Sequence, residues 1–262
     1  MSEDDEKQTR SQTPTLPHTP ARVRRPSAIR ALRRGLSLVW DNLGLVVGIN
    51  LGWMLILLLF SAAVYGEAAI VHHGGAHGLG ARASSPLLML IGLALSGAMA
   101  AGPAAALALR ARQEAASLTD FVQGVRRDGL RYATLTLILV IVVGECLFYF
   151  GWLLRLGPLR LLSPLPLYLS AFWLVAAPYQ FALVSLENRG FKDTLKRSCL
   201  LVLDNPVYSV MTSFAMAAVA VALIISGVGL ALAAGATWLA LSQSMTLEAL
   251  RKYRPEDVEA DE

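Results

Sequence analysis

From Asn42 onward the chain alternates long apolar blocks with short charged stretches. The blocks cover residues 43–65, 86–109, 132–154, 164–186, 207–226 and 229–247. Most hold about 20 apolar or small residues, which at about 1.5 Å per residue cross a hydrocarbon core of about 30 Å. The pattern predicts an all-α, polytopic membrane helical bundle with six transmembrane helices. The last two blocks form one run from Val207 to Leu247, interrupted only by Ser226-Gly227-Val228-Gly229. As a single helix that run would be about 60 Å long, too much for one crossing, so a tight turn at the glycines is expected. Pro164 and Pro166 suit the start of the fourth helix. Pro178 lies inside it and should bend it or free a carbonyl.

Charge adds an orientation. The chain has 23 Lys and Arg, and twenty fall before the first block, after every second block, or after the last. Only Arg82, Arg155 and Arg160 fall in the alternate connections. The positive-inside rule then places both termini in the cytoplasm and makes the chain three out-and-back hairpins. Composition agrees: 55% hydrophobic, 16% charged, mean hydropathy +0.52, where a soluble chain carries about a quarter charged residues. The formal charge of +4 reads as a cytoplasmic collar facing anionic lipid headgroups, and no nucleic-acid partner is expected. Residues 1–27 are rich in Pro, Ser, Thr and charge and read as a disordered cytoplasmic tail. Residues 28–250 form the membrane domain, and 251–262 a short acidic tail. No signal peptide fits the late, long first apolar run. Cys146 and Cys199 give neither a disulfide framework nor a metal motif.

Three charged lead-in segments precede the odd-numbered crossings. Leu32 to Asn42 and Leu195 to Asn205 share a basic pair, an apolar turn and a half, and a closing Asp-Asn. The middle one, Phe121 to Tyr132, is looser. Each is expected to be a short amphipathic interfacial helix with its basic residues toward phosphates: Arg33 and Arg34, Arg126 and Arg127, Lys196 and Arg197. The Asp-Asn pair suits a helix cap where the chain turns to cross.

Within the blocks, polar residues are few. Glu145 is the one carboxylate deep in an apolar run. A charge there is costly, so it is expected either to face the bundle, as a proton relay or substrate anchor, or to reach the outer headgroups. Asn50 and Gln180 are candidates for hydrogen bonds across the bundle. Small-residue stripes, Gly92-Ser96-Ala100 and Gly227-Ala231-Gly235, point to close helix packing. His72, His73 and His77 cluster in the connection 66–85 among glycines and are a weak Zn²⁺ or Cu²⁺ candidate. No zinc-protease, nucleophile-elbow or phosphate-loop motif occurs, so no enzyme and no cofactor are expected.

Leu38-Val39-Trp40-Asp41-Asn42, the Gly102-Pro103-Ala104-Ala105-Ala106-Leu107-Ala108 run closing the second block, and the Asp120-Phe121 to Arg131-Tyr132 segment are similar to the YesL-like family of small bacterial membrane proteins. The resemblance extends over about residues 30–225. It implies a multi-pass protein of the bacterial cytoplasmic membrane and an accessory or assembly role beside a carbohydrate-uptake permease. The expected partners are therefore lipid and either a permease subunit or a second copy of the chain. The rival reading is a small-solute or proton-coupled transporter or channel using Glu145.

Overall fold

The computed structural model describes residues 26–73, 79–112, 116, 118–187 and 190–253, without the side chains of 56, 57, 60, 63–73, 79–88, 118, 224 and 228–233. Every regular element among them is helical. In chain order these are α1 (Ala28–Asp41), α2 (Leu43–His73), α3 (Leu79–Ala111), α4 (Leu118–Leu153), a 3-10 helix (Gly157–Leu162), α5 (Pro164–Glu187), α6 (Phe191–Asp204), α7 (Pro206–Ile225) and α8 (Val228–Leu250).

Four stretches are long and apolar enough to cross a membrane: Met89–Ala111, Thr119–Leu153, Gly157–Glu187 and Pro206–Leu223. A fifth is gained if α1 and α2, bent by 85° at Asn42, are taken as one broken span. α8 runs 23 residues from Val228 to Leu250, and its side chains are described from residue 234 onward. It is the central strut, packed on α1, α2, α3, α5 and α7. From Ala236 to Ala249 nearly every side chain is buried, including Thr237, Ser242, Gln243, Ser244, Thr246 and Glu248. A helix enclosed by protein can carry polar side chains that lipid would penalise, provided they find partners.

Helix ends depart from the expected block ends. The connection 66–85 was expected to be an external loop, but the backbone is helical through His73 and again from Leu79. The middle lead-in segment is not a separate interfacial helix. It continues without a break into the third crossing as the 36-residue α4. The reason lies in packing: a Cβ added at Gly124 would sit 2.6 Å from Ala105 Cβ, and one at Gly102 2.8 Å from Val125 Cγ2. The lead-in is thus laid close along α3. Its Gly124 is needed for approach, whereas a Cβ at Gly129 would meet Ala98 only at ordinary contact distance, and nothing in the segment stops the helix. The small-residue stripe on α3 is correspondingly displaced. Gly97, Ala98, Ala101, Gly102 and Ala105 meet α4, whereas Ser96 faces a groove beside α2. In the other stripe, Gly235 is overlaid by the Trp53 ring, Gly227 makes the α7–α8 turn at φ 60°, and the Ala231 side chain lies outside the described residues.

α1 and α6 are separate 14-residue helices, and each ends at its Asp-Asn pair. The cap works differently from expectation. The Asn42 side chain donates back to Leu38 O (2.9 Å) and closes α1, while its own carbonyl accepts Val46 N–H (3.0 Å) and opens α2. At Asn205 the carbonyl likewise accepts Ser209 N–H (2.9 Å), and Pro206 follows at the first helical position, where its missing N–H does no harm. α1 lays Ala31, Gly35, Leu38 and Val39 on α8 and leaves Ile29, Leu36 and Trp40 exposed. Its uncovered surface is therefore partly apolar. Pro178 leaves α5 continuous from Pro164 to Glu187.

Candidate functional site

The polar chemistry collects at one end of the bundle. Glu248, near the end of α8 and 6% exposed, accepts Ser27 N–H (3.3 Å) and pairs with Arg30 (3.3 Å) and Arg251 (3.4 Å). Asp128, 1% exposed on α4, pairs with Arg127 (2.8 Å) and Arg131 (3.2 Å). Glu187 closes α5 and pairs with Arg197 of α6 (3.1 Å). Two arginines serve helix ends directly: Arg34 donates to Ala111 O (2.9 Å) and Arg112 to Leu186 O. The last carbonyls of a helix lack intrahelical donors, and a guanidinium supplies both the hydrogen bond and the favourable sign for the dipole. Lys252 and Tyr253 both donate to Asp204 at the end of α6. Those hydrogen bonds hold the Asp204 carboxyl below its ordinary range and push Lys252 upward.

Just inside this layer, tyrosine hydroxyls tie the helices together. Tyr132 donates to Phe181 O (2.7 Å), Tyr208 to Met245 O (2.9 Å), and Tyr179 meets Ser209 Oγ (2.8 Å). Gln243 donates to Ala104 O (2.6 Å), joining α8 to α3. Ser242, Ser244 and Thr246 each return a hydrogen bond to the carbonyl four residues earlier. Such back-bonding satisfies a buried hydroxyl without a partner helix.

Several openings adjoin this framework, one of about 790 Å³ between α1 and α7 with Ser27, Ile29, Tyr208 and Lys252 on its walls. A cleft of about 610 Å³ lies among α3, α4 and α5, with Arg112, Asp120, Gln123, Arg126, Ser185 and Glu187 on its walls. A groove of about 830 Å³ between α2 and α8 is mostly apolar, with Asn50, Trp53, Ser61 and Ser96 among its lining. The cleft mixes both signs of charge at the rim of the bundle.

The expected site residues divide. Asn50 is buried and does bridge helices: its Oδ1 accepts Gly235 N–H (2.9 Å) from α8. Gln180 is fully buried, but among the described residues neither its amide oxygen nor its nitrogen has a partner, so the anticipated cross-bundle bond is not made with any of them. Glu145 does not face the bundle. It sits on the exposed side of α4, while its neighbour Cys146 faces inward. Of the basic pairs, Arg34, Arg127 and Arg197 are held by the intramolecular bonds above, so they do not point freely at headgroups. Arg33, Arg126 and Lys196 are exposed. The side chains of His72 and His73, and all of His77, lie outside the described residues. Sequence reasoning missed Asp128, Glu187 and Glu248. Each lies near a block end, where a carboxylate reads as solvated; their burial follows only from the helices that converge on them.

No family model, curated protein or solved structure matches this chain.

Proposed function

We propose that the chain is a six-span protein of the bacterial cytoplasmic membrane. Both termini are cytoplasmic, and it acts without catalysis as an accessory or assembly factor. The resemblance to the YesL-like family suggests a carbohydrate-uptake permease as the partner. One observation carries this reading: the buried charged groups are spent on one another and on helix ends, while the broad faces of α4 and α7 present apolar side chains outward. Ile141, Phe148 and Trp152 on α4, and Val207, Met211 and Phe214 on α7, are examples. Side chains committed to internal bonds build a scaffold; uncovered apolar faces meet lipid or another membrane protein. α1 and α6 fit the same view as helices at the cytoplasmic interface, with the exposed Ile29 and Trp40 sunk among acyl chains and Arg33 toward phosphates.

The transporter reading needs a polar group on an internal path. Glu145 lies outside the bundle, and Asn50 is consumed by α8, so no observation favours that reading over the scaffold. Purification in mild detergent, followed by mass spectrometry of bound proteins, tests the proposal. A permease subunit retained at near-stoichiometric yield supports it. Proton or sugar flux into proteoliposomes holding this chain alone, lost in Glu145→Gln, overturns it in favour of transport. Cysteine labelling tests the topology separately: positions 75 and 160 should react from outside and positions 115 and 192 only from inside.

A further inference from the structure

We propose that the outward face of α4 is the contact between two copies of this chain, packed in parallel about a two-fold axis along the membrane normal, with Glu145 of each copy hydrogen-bonded to its counterpart. The inference rests on the six-span reading, because only lipid makes an exposed carboxyl expensive.

Position comes first. Arg131 and Arg155 bracket the apolar part of α4, and Glu145 stands 14 residues after the first and 10 before the second. At about 1.5 Å per residue, that is about 21 Å and about 15 Å from the two charged borders. The residue is inside the hydrocarbon, nearer its outer edge. Reaching outward to the headgroups is disfavoured by helix geometry. Side chains lean toward the helix N-terminus, and the N-terminus of α4 is the cytoplasmic one, so Glu145 leans toward the midplane. Within its own chain it is exposed and makes no hydrogen bond or ion pair with the described residues.

The surrounding surface suits a helix partner. α4 is the least enclosed of the candidate spans, with 17% of its most apolar window buried. Ile141, Glu145, Phe148 and Trp152 are all exposed and recur at i, i+4, i+7 and i+11, which makes one stripe. Beside them, a Cβ built on Gly144 meets nothing within 4 Å, so the backbone is open to close approach. A polar group among small and apolar residues is the arrangement by which membrane helices associate.

A second copy satisfies Glu145 with no further assumption. A rotation about the membrane normal keeps every residue at its own depth, so Glu145 necessarily meets Glu145 at the same level. A carboxylic acid offers both a donor and acceptors, and is therefore complementary to itself. An unrelated helix would have to carry its own polar group at that depth.

The test uses the full chain in native membranes. In a Cys146→Ala, Cys199→Ala background, single cysteines are placed at 141, 148 and 152 on α4, with equally exposed controls at 58 on α2 and 214 on α7. Oxidation should give same-site dimers at the α4 positions and little at the controls. In detergent, Glu145→Gln should keep the dimer, because a carboxamide also pairs reciprocally. Glu145→Leu should weaken association about tenfold, and Gly144→Leu should weaken it further. Equal crosslinking at α4 and control positions, or adducts only with a different protein, overturns the proposal. So does a Glu145→Leu dimer as tight as wild type. Both substituted positions are exposed, and unchanged circular dichroism will establish folding. Labelling at positions 75, 160, 115 and 192 decides the topology independently, so loss of the dimer and loss of the six-span reading give different results.

Discussion

The close contact between α3 and α4 offers a sharp test of the fold. Gly124 on α4 faces α3 so closely that an added Cβ would lie 2.6 Å from Ala105 Cβ and 3.0 Å from Ala101 O. Neither neighbour can rotate away: one is a Cβ fixed to its backbone, the other a main-chain carbonyl. Carbon atoms prefer about 3.5–4.0 Å, so Gly124→Ala must part the helices by about 1 Å. Overpacking of this kind costs about 1–3 kcal/mol. The better helix propensity of Ala returns about 1 kcal/mol, leaving a net loss of up to about 2 kcal/mol. Gly151 lies on the same helix with nothing within 4 Å of a built Cβ, so Gly151→Ala should be neutral or slightly stabilising. Cys146 is buried and reports unfolding through a thiol-reactive dye. The Gly124→Ala protein should release that thiol at a lower temperature than wild type, and Gly151→Ala should not. If the two variants unfold alike, α3 and α4 are not in contact along the lead-in segment, and the 36-residue α4 is wrong.

Other outcomes follow from the buried polar groups. Gln180→Met should be neutral or stabilising by about 1–2 kcal/mol, since it removes two unpartnered amide atoms from a buried site at similar volume; a clear destabilisation in the same thiol assay would mean that Gln180 has a bound partner. Glu248→Gln should destabilise by about 1–3 kcal/mol, a figure below that for a fully buried pair because Arg30 is half exposed. In Glu248→Gln, a further Arg30→Gln change should then cost little, and additive losses would refute their coupling. Asn50→Leu should cost about 1–3 kcal/mol by leaving the Gly235 N–H without the side-chain acceptor that now reaches it; unchanged stability would argue against the α2–α8 bridge. Reversing Arg33 and Arg34 together should impair orientation in the membrane more than reversing Arg155 and Arg160, read by protease protection of the termini.

The apolar blocks and the one-sided charge were enough to establish an all-helical chain with several membrane-length segments. That information is local: a run of residues is apolar whatever surrounds it. The turn at Ser226-Gly227 and the breaks at Asn42 and Asn205 were legible for the same reason, since Gly, Asn and Pro act through their own backbones. Helix ends were less so. The segment from Phe121 to Tyr132 carries charge and two glycines, which reads as an interruption until α3 is laid against it.

Which way a residue faces was beyond the sequence. Glu145 and Cys146 are adjacent and equally isolated in an apolar run, yet one is exposed and the other buried. Asn50 and Gln180 look alike as lone amides, yet one is bonded to α8 and the other has no partner among the described residues. Asp128, Glu187 and Glu248 look like solvated helix ends, yet they are buried, Asp128 beside arginines of its own helix and the other two beneath arginines from other segments. Hydrophobicity decides that a helix can enter a membrane, and charge decides which end stays behind. Rotation about the helix axis is set by its neighbours, because side chains such as these gain or lose their partners only when separate helices come together.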